Sequence, residues 1–221
     1  MNKSDITKQI LDGVMQAWSK RQQILQNANY DLNTPSGRKR KNEQFFSSFI
    51  AKALNERIFV ESEKDFVTHE TNDFLLESAI RQLAGGKVEE HPEPTSSRYD
   101  LVLWSGKNQP YAIIEVKYAT RASTVMKDMF KVIEVLQRLH FEGTVGVRNV
   151  YLAVATSSSN LELFEEIGHK MMEDLIKILS ESNLELPTFK PGKRPVLKTK
   201  FDCDSGNGAI VFRFSRSMLE S

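Results

Sequence analysis

One cysteine in 221 residues, Cys203, leaves no partner for an internal disulfide and too few thiolates for a multi-cysteine zinc site. Its neighbours Asp202 and Asp204 oppose thiol ionisation, so it is not read as a nucleophile. No apolar run approaches the roughly 20 residues of a membrane-spanning helix. The opening "MNKSDITKQILDGVMQAW" lacks the cationic start and apolar core of a signal peptide. A cytoplasmic chain with no membrane partner is therefore expected. Charge of one sign is also lacking: the formal net charge is +1, so nucleic acid would have to be met by local patches. His69, His91, His140 and His169 are scattered without metal-ligand spacing. Gly85-Gly86 is not followed by the Lys-Ser/Thr of a phosphate loop. "TSSSN" at 156–160 has no nucleophile-elbow pattern and reads as a helix cap. No repeat of solenoid length is visible.

What is present suits a globular domain: 40% hydrophobic and 27% charged residues, in a chain long enough to bury a core without staples. The spacing of Ile6, Ile10, Val14, Trp18 and Leu25 predicts a helix over 5–29. "DLNTPSGRKRK" at 31–41 reads as a linker or exposed loop, broken by Pro35 and Gly37. A second helix is expected over 42–56, with Phe46, Phe49, Ile50, Ala53 and Leu54 on one stripe. A third is expected over 71–84, capped by Thr71 or Asn72 and stopped by Gly85-Gly86. Strands are then expected at 87–93, 98–104 and 110–118, a helix at 125–140, a strand at 148–155 and a helix reaching about 180. An irregular basic segment over 187–200 and a final strand at 208–214 complete the chain. The expected class is mixed α/β, with a helical region over 1–60 and a core domain over 61–221 in one compact unit.

The stretch "RYDLVLWSGKNQPYAIIEVKYAT", residues 98–120, carries charge where a core strand ordinarily has none. If 98–104 and 110–118 pair about their turn, 104 faces 111, 102 faces 113 and Asp100 faces Glu115, with Lys117 one pleat further on, opposite Arg98. Carboxylates about 5 Å apart repel by roughly 3 kcal/mol at an effective dielectric near 20. A divalent cation offsets that repulsion, since Mg²⁺ takes hard oxygens and is often held by one or two carboxylates with phosphate and water. An ammonium at Lys117 would then support an attacking water or charge on a phosphoryl oxygen.

Asp in one strand followed by Glu-x-Lys in the next, "IIEVKY", resembles the PD-(D/E)XK nuclease superfamily. The resemblance covers about half the chain and implies a restriction-endonuclease-like core: a helix, a three-stranded meander, a helix and a further strand. It implies that Asp100 and Glu115 bind Mg²⁺, with Mn²⁺ as a substitute, and that Lys117 assists attack of water on a phosphodiester. The proline usual before the Asp is replaced by Tyr99. A glutamate on the helix before the meander often completes such a site. Glu77 is favoured for it on chain order, with Glu43 a rival and Glu70 at the start of the same expected helix.

The expected function is thus a Mg²⁺-dependent nuclease acting on DNA, double-stranded in the first instance, with a restriction or defence setting implied by the resemblance. The alternative is a non-catalytic nucleic-acid-binding or regulatory module on the same fold. A third reading, compatible with the first, has the N-terminal helices join two copies as a homodimer. Two basic runs, Arg38–Lys41 and Lys190, Lys193, Arg194, Lys198 and Lys200, are candidate phosphate contacts or solvated surface. Gln137 is a candidate to face the site or an exposed helix position.

Overall fold

Ile6, Ile10, Val14, Ala17 and Trp18 are buried on one stripe of helix α1 (Lys3–Ala28). Phe46, Ile50 and Leu54 do the same on α2 (Pro35–Glu61). The computed structural model describes residues 3–28, 35–61, 65–72, 98–107, 109–118, 125, 147–181, 190 and 192–218. Residues 35–41 are helical, not a loop as the sequence predicts. Pro35 opens α2 because the first helical position has no use for the N–H that proline lacks.

The strands are β1 (Phe66–Asn72), β2 (Arg98–Trp104), β3 (Pro110–Tyr118), β4 (Asn149–Ser157), β5 (Val196–Asp202) and β6 (Asn207–Ser215), with helix α3 (Leu161–Glu181) between β4 and β5. Among the described residues they form one sheet in the order β1-β2-β3-β4-β6-β5. Only β3 and β4 run parallel; the other neighbours are antiparallel. The described residues are thus mixed α/β, with three helices on a six-stranded mixed sheet.

Two apolar layers sandwich the sheet. On one face Leu101, Leu103, Ile114, Val116, Tyr151 and Val211 pack with α1 and α2. On the other Val102, Ile113, Leu152, Val154, Ile210 and Phe212 pack with Phe164 and Met171 of α3. Helices α1 and α2 are therefore joined to the sheet through one of these layers.

Several expectations need correction. Residues 66–72 form β1, where the sequence predicts Thr71 or Asn72 as a helix cap; 73–84 and the strand expected at 87–93 lie outside the described residues. Of the helix expected over 125–140 only Val125 is described, helical and buried. Residues 196–200, expected to be irregular, belong to β5.

Gly208 on β6 is where the two helical layers close on one strand. A Cβ there would lie 2.4 Å from the Phe164 ring, so only glycine lets α3 approach this far. From the other layer, the Trp18 indole N–H donates to the Gly208 carbonyl at 3.0 Å in a buried hydrogen bond between residues 190 apart in sequence. Trp18→Phe keeps most of the apolar contact and removes the donor. The buried carbonyl then loses a partner, and a stability loss of about 1–3 kcal/mol is expected by urea denaturation.

Candidate active site

Strand alternation assigns Glu115 to the side of Ile113, since Ile114 and Val116 face α1 and α2. Glu115 is only 3% exposed. Between β2 and β3 the register runs Leu101↔Ile114, Val102↔Ile113 and Leu103↔Ala112, as the sequence predicts; a bulge then pairs Trp104 with Pro110, not with Tyr111. The ladder ends at Leu101↔Ile114, one residue short of Asp100 and Glu115.

At Asp100 the alternation breaks. Tyr99 packs in the same layer as Val102, three residues away, while Leu101 packs in the opposite layer. Strand β1 does the same at the same level. His69 pairs with Leu101 and Thr71 with Tyr99, which places Glu70 in the row of Asp100. Glu70 has φ 45, and the hydroxyls of Thr68 and Thr71 on either side of it meet at 2.6 Å. Residues three apart on a flat strand point to opposite faces, so both strands turn over at this row.

The consequence for Asp100 is that its carboxylate lies along the sheet. Oδ2 accepts a hydrogen bond from the backbone N–H of Val116 at 2.7 Å, the amide that directly follows Glu115. Arg98 is not placed opposite Lys117 by any β2–β3 pair among the described residues; it pairs with Asn72 of β1.

The third element is α2. Lys117 Nζ lies 3.8 Å from Glu43 Oε2, with both side chains 16% exposed. At that length the pair is an ion contact, not a hydrogen bond, and its low exposure limits screening by salt. The next residue on α2, Gln44, donates from Nε2 to Glu70 Oε1 at 2.7 Å, and Arg98 reaches Glu70 Oε2 at 3.3 Å. A non-glycine residue in the left-handed region costs on the order of 1–3 kcal/mol. Here Glu70 ties the start of the described face of α2 to β1 and β2, which sets Glu43 against Lys117.

The structure therefore brings Asp100 beside the Glu115–Val116 peptide and Lys117 beside Glu43. Glu77 lies outside the described residues, as does Gln137. The antiparallel run β1-β2-β3 begins at Phe66, so the described helix preceding it is α2, and α2 carries Glu43. Glu70 sits in β1, not at the start of a helix. The role of Gln44 was not anticipated; nothing in its local sequence marks it.

Two carboxylates on hard-oxygen donors suit a hydrated Mg²⁺ that keeps water and phosphate ligands. They do not suit a closed protein cage: among the described residues no group of three or more His, Cys, Asp or Glu is placed to hold a metal ion. His69 and His169 are both exposed. No described helix is long and apolar enough to cross a membrane. Comparisons with known protein families, with curated proteins and with solved structures return no match.

Proposed function

We propose that this chain is a Mg²⁺-dependent nuclease that hydrolyses phosphodiester bonds in DNA, on a core arranged like that of restriction endonucleases. The reading rests on one observation above others: the Asp100 carboxylate docks on the amide following Glu115, at the end of β3 where Lys117 meets Glu43. The antiparallel order β1-β2-β3, followed by β4 parallel to β3, supports it. A restriction or defence setting is part of the proposal and follows from the sequence resemblance alone.

In this mechanism Asp100 and Glu115 would hold the metal, which would supply Lewis acidity. Lys117 orients an attacking water and stabilises negative charge developing on the phosphoryl oxygen. Glu43 keeps the lysine from swinging into solvent, because a partly buried ammonium stays near a partly buried carboxylate.

Isothermal titration with Mg²⁺ and Mn²⁺ tests the metal assignment. Weak binding by the wild type and its loss in Asp100→Ala are expected, with the thermal midpoint measured alongside because Asp100 also bonds Val116. Equal heats for the two proteins would remove Asp100 from the metal site.

A second reading is a nucleic-acid-binding or regulatory module with an idle site. The internal partners of Asp100 and Lys117, and the lack of a three-ligand group among the described residues, favour it. It predicts nucleic-acid binding without metal-dependent cleavage.

A further inference from the structure

We infer that Arg21 of α1 is a phosphate-binding residue at the rim of the candidate site, which grips the backbone of the nucleic acid next to the bond that is cut. The inference rests on the nuclease reading for its substrate class, but the geometry behind it is independent of Asp100 and Glu115.

The Arg21 guanidinium carbon lies 5.4 Å from the centroid of the Trp18 ring and 5.4 Å from that of Tyr118. Both rings are themselves fixed. Trp18 is 4% exposed, bonded through its N–H to the Gly208 carbonyl and packed edge-on against Phe46 at 5.0 Å. Tyr118 stacks on Phe46 at 6.0 Å with an interplanar angle of 12°. A guanidinium drawn to two packed aromatic rings is held in place by the ring quadrupoles. Among the described residues no carboxylate pairs with Arg21, although acids elsewhere on the surface do have partners: Asp12 holds Lys200 at 2.6 Å and Glu70 holds Arg98. Arg21 is half-buried.

Its position gives this cation a use. Phe46, the ring packed against both Trp18 and Tyr118, is one helical turn after Glu43, so the aromatic cluster connects Arg21 to the stretch of α2 whose Glu43 meets Lys117. A planar cation already held against two rings suits two-point contact with a phosphate, and little entropy is lost in ordering it. This also gives α1, which lies outside the part of the chain that resembles a nuclease, a share in the substrate contact.

The test is fluorescence anisotropy with a short fluorescein-labelled DNA duplex and its single strand, in EDTA to prevent cleavage, across a range of salt concentrations. The full-length wild type runs beside Arg21→Gln, Arg21→Lys and Lys8→Gln. Lys8 is an exposed cation on the same helix about 20 Å from Arg21 along the axis, so it controls for charge alone. Expected for Arg21→Gln is a slope of log affinity against log salt reduced by about one, and binding about tenfold weaker near 0.1 M salt. Arg21→Lys should fall between, since it keeps the charge and loses the flat fork. Lys8→Gln should match the wild type. Circular dichroism checks that each variant is folded, and the lysine variant serves if the glutamine one is not.

Equal slopes and affinities for wild type and Arg21→Gln would overturn the inference. So would an equal loss in Lys8→Gln, or no binding by the wild type at low salt. Arg21-dependent binding without cleavage in Mg²⁺ or Mn²⁺ would uphold Arg21 and refute the nuclease reading. Metal-dependent cleavage by a wild type whose binding ignores Arg21 would do the reverse.

Discussion

Lys117→Ala is expected to lower DNA cleavage in Mg²⁺ or Mn²⁺ by about 10²–10⁴-fold, the usual effect of removing a positioned proton-transfer or charge-stabilising group. The assay is conversion of circular and linear DNA by purified protein, with RNA as a further substrate. Wild type and Lys117→Ala run at equal concentration. The substitution also removes an ion contact of Glu43 at a site where both side chains are only 16% exposed, so a stability loss accompanies the activity loss. Glu43→Gln separates the two effects. It keeps the shape of α2 and leaves the ammonium present but less firmly held, so a smaller fall in rate is expected, with metal binding unchanged. A folded wild type that cuts no DNA or RNA would leave the idle-site reading in possession. Equal cutting by wild type and Lys117→Ala would place the activity elsewhere.

The part of this site that was legible in sequence is the part fixed by short-range geometry. The register of β2 on β3 follows from a short turn and two apolar runs, and it holds for the three pairs nearest Asp100. The bulge at Leu103/Trp104 was not legible, because nothing in the residue types distinguishes a one-residue offset at the turn. Strand β1 reads "FVTHETN", with too little apolar content for a core strand. It lies at the end of the sheet, where one edge has no partner strand among the described residues, and polar residues are tolerated there. With β1 in the sheet, the described helix before the meander is α2, which carries Glu43, while Glu77 lies outside the described residues. The lysines of β5, Lys198 and Lys200, misled in the same way. On an edge strand they discourage pairing with other chains and do not signal a loop. The turnover of β1 and β2 at Glu70 and Asp100 is tertiary in origin: it depends on Gln44 and Arg98 reaching Glu70 from other elements.

Gly13→Ala is expected to destabilise the protein, against the sign that helix propensity alone would give. In the interior of a helix, alanine is favoured over glycine by about 1 kcal/mol. A Cβ at residue 13, however, would lie 2.6 Å from Ile50 Cα, 2.9 Å from Ile50 N and 3.0 Å from the Phe49 carbonyl oxygen. All three are backbone atoms, so no side-chain rotation relieves the contact. Carbon pairs are most stable at about 3.5–4.0 Å, so α1 and α2 would have to part by about 1 Å at their crossing. That separation weakens the packing of Val14, Trp18, Phe46 and Ile50 on the sheet and moves the helix that carries Glu43. Overpacking of this kind costs about 1–3 kcal/mol. For a chain of this size each kcal/mol shifts the thermal midpoint by about 2–4 °C, so a fall of several degrees is expected. Gly168→Ala on α3 supplies the contrast. There a Cβ would meet only Leu197 and Ile210 side-chain carbons at 3.5–3.8 Å, which is ordinary contact. The propensity gain then survives, and the midpoint should rise by about 1–4 °C. Differential scanning calorimetry of the two variants decides the matter. A Gly13→Ala midpoint at or above that of the wild type would mean that α1 and α2 do not cross at Gly13, and that Glu43 is not held against Lys117 by this helix pair.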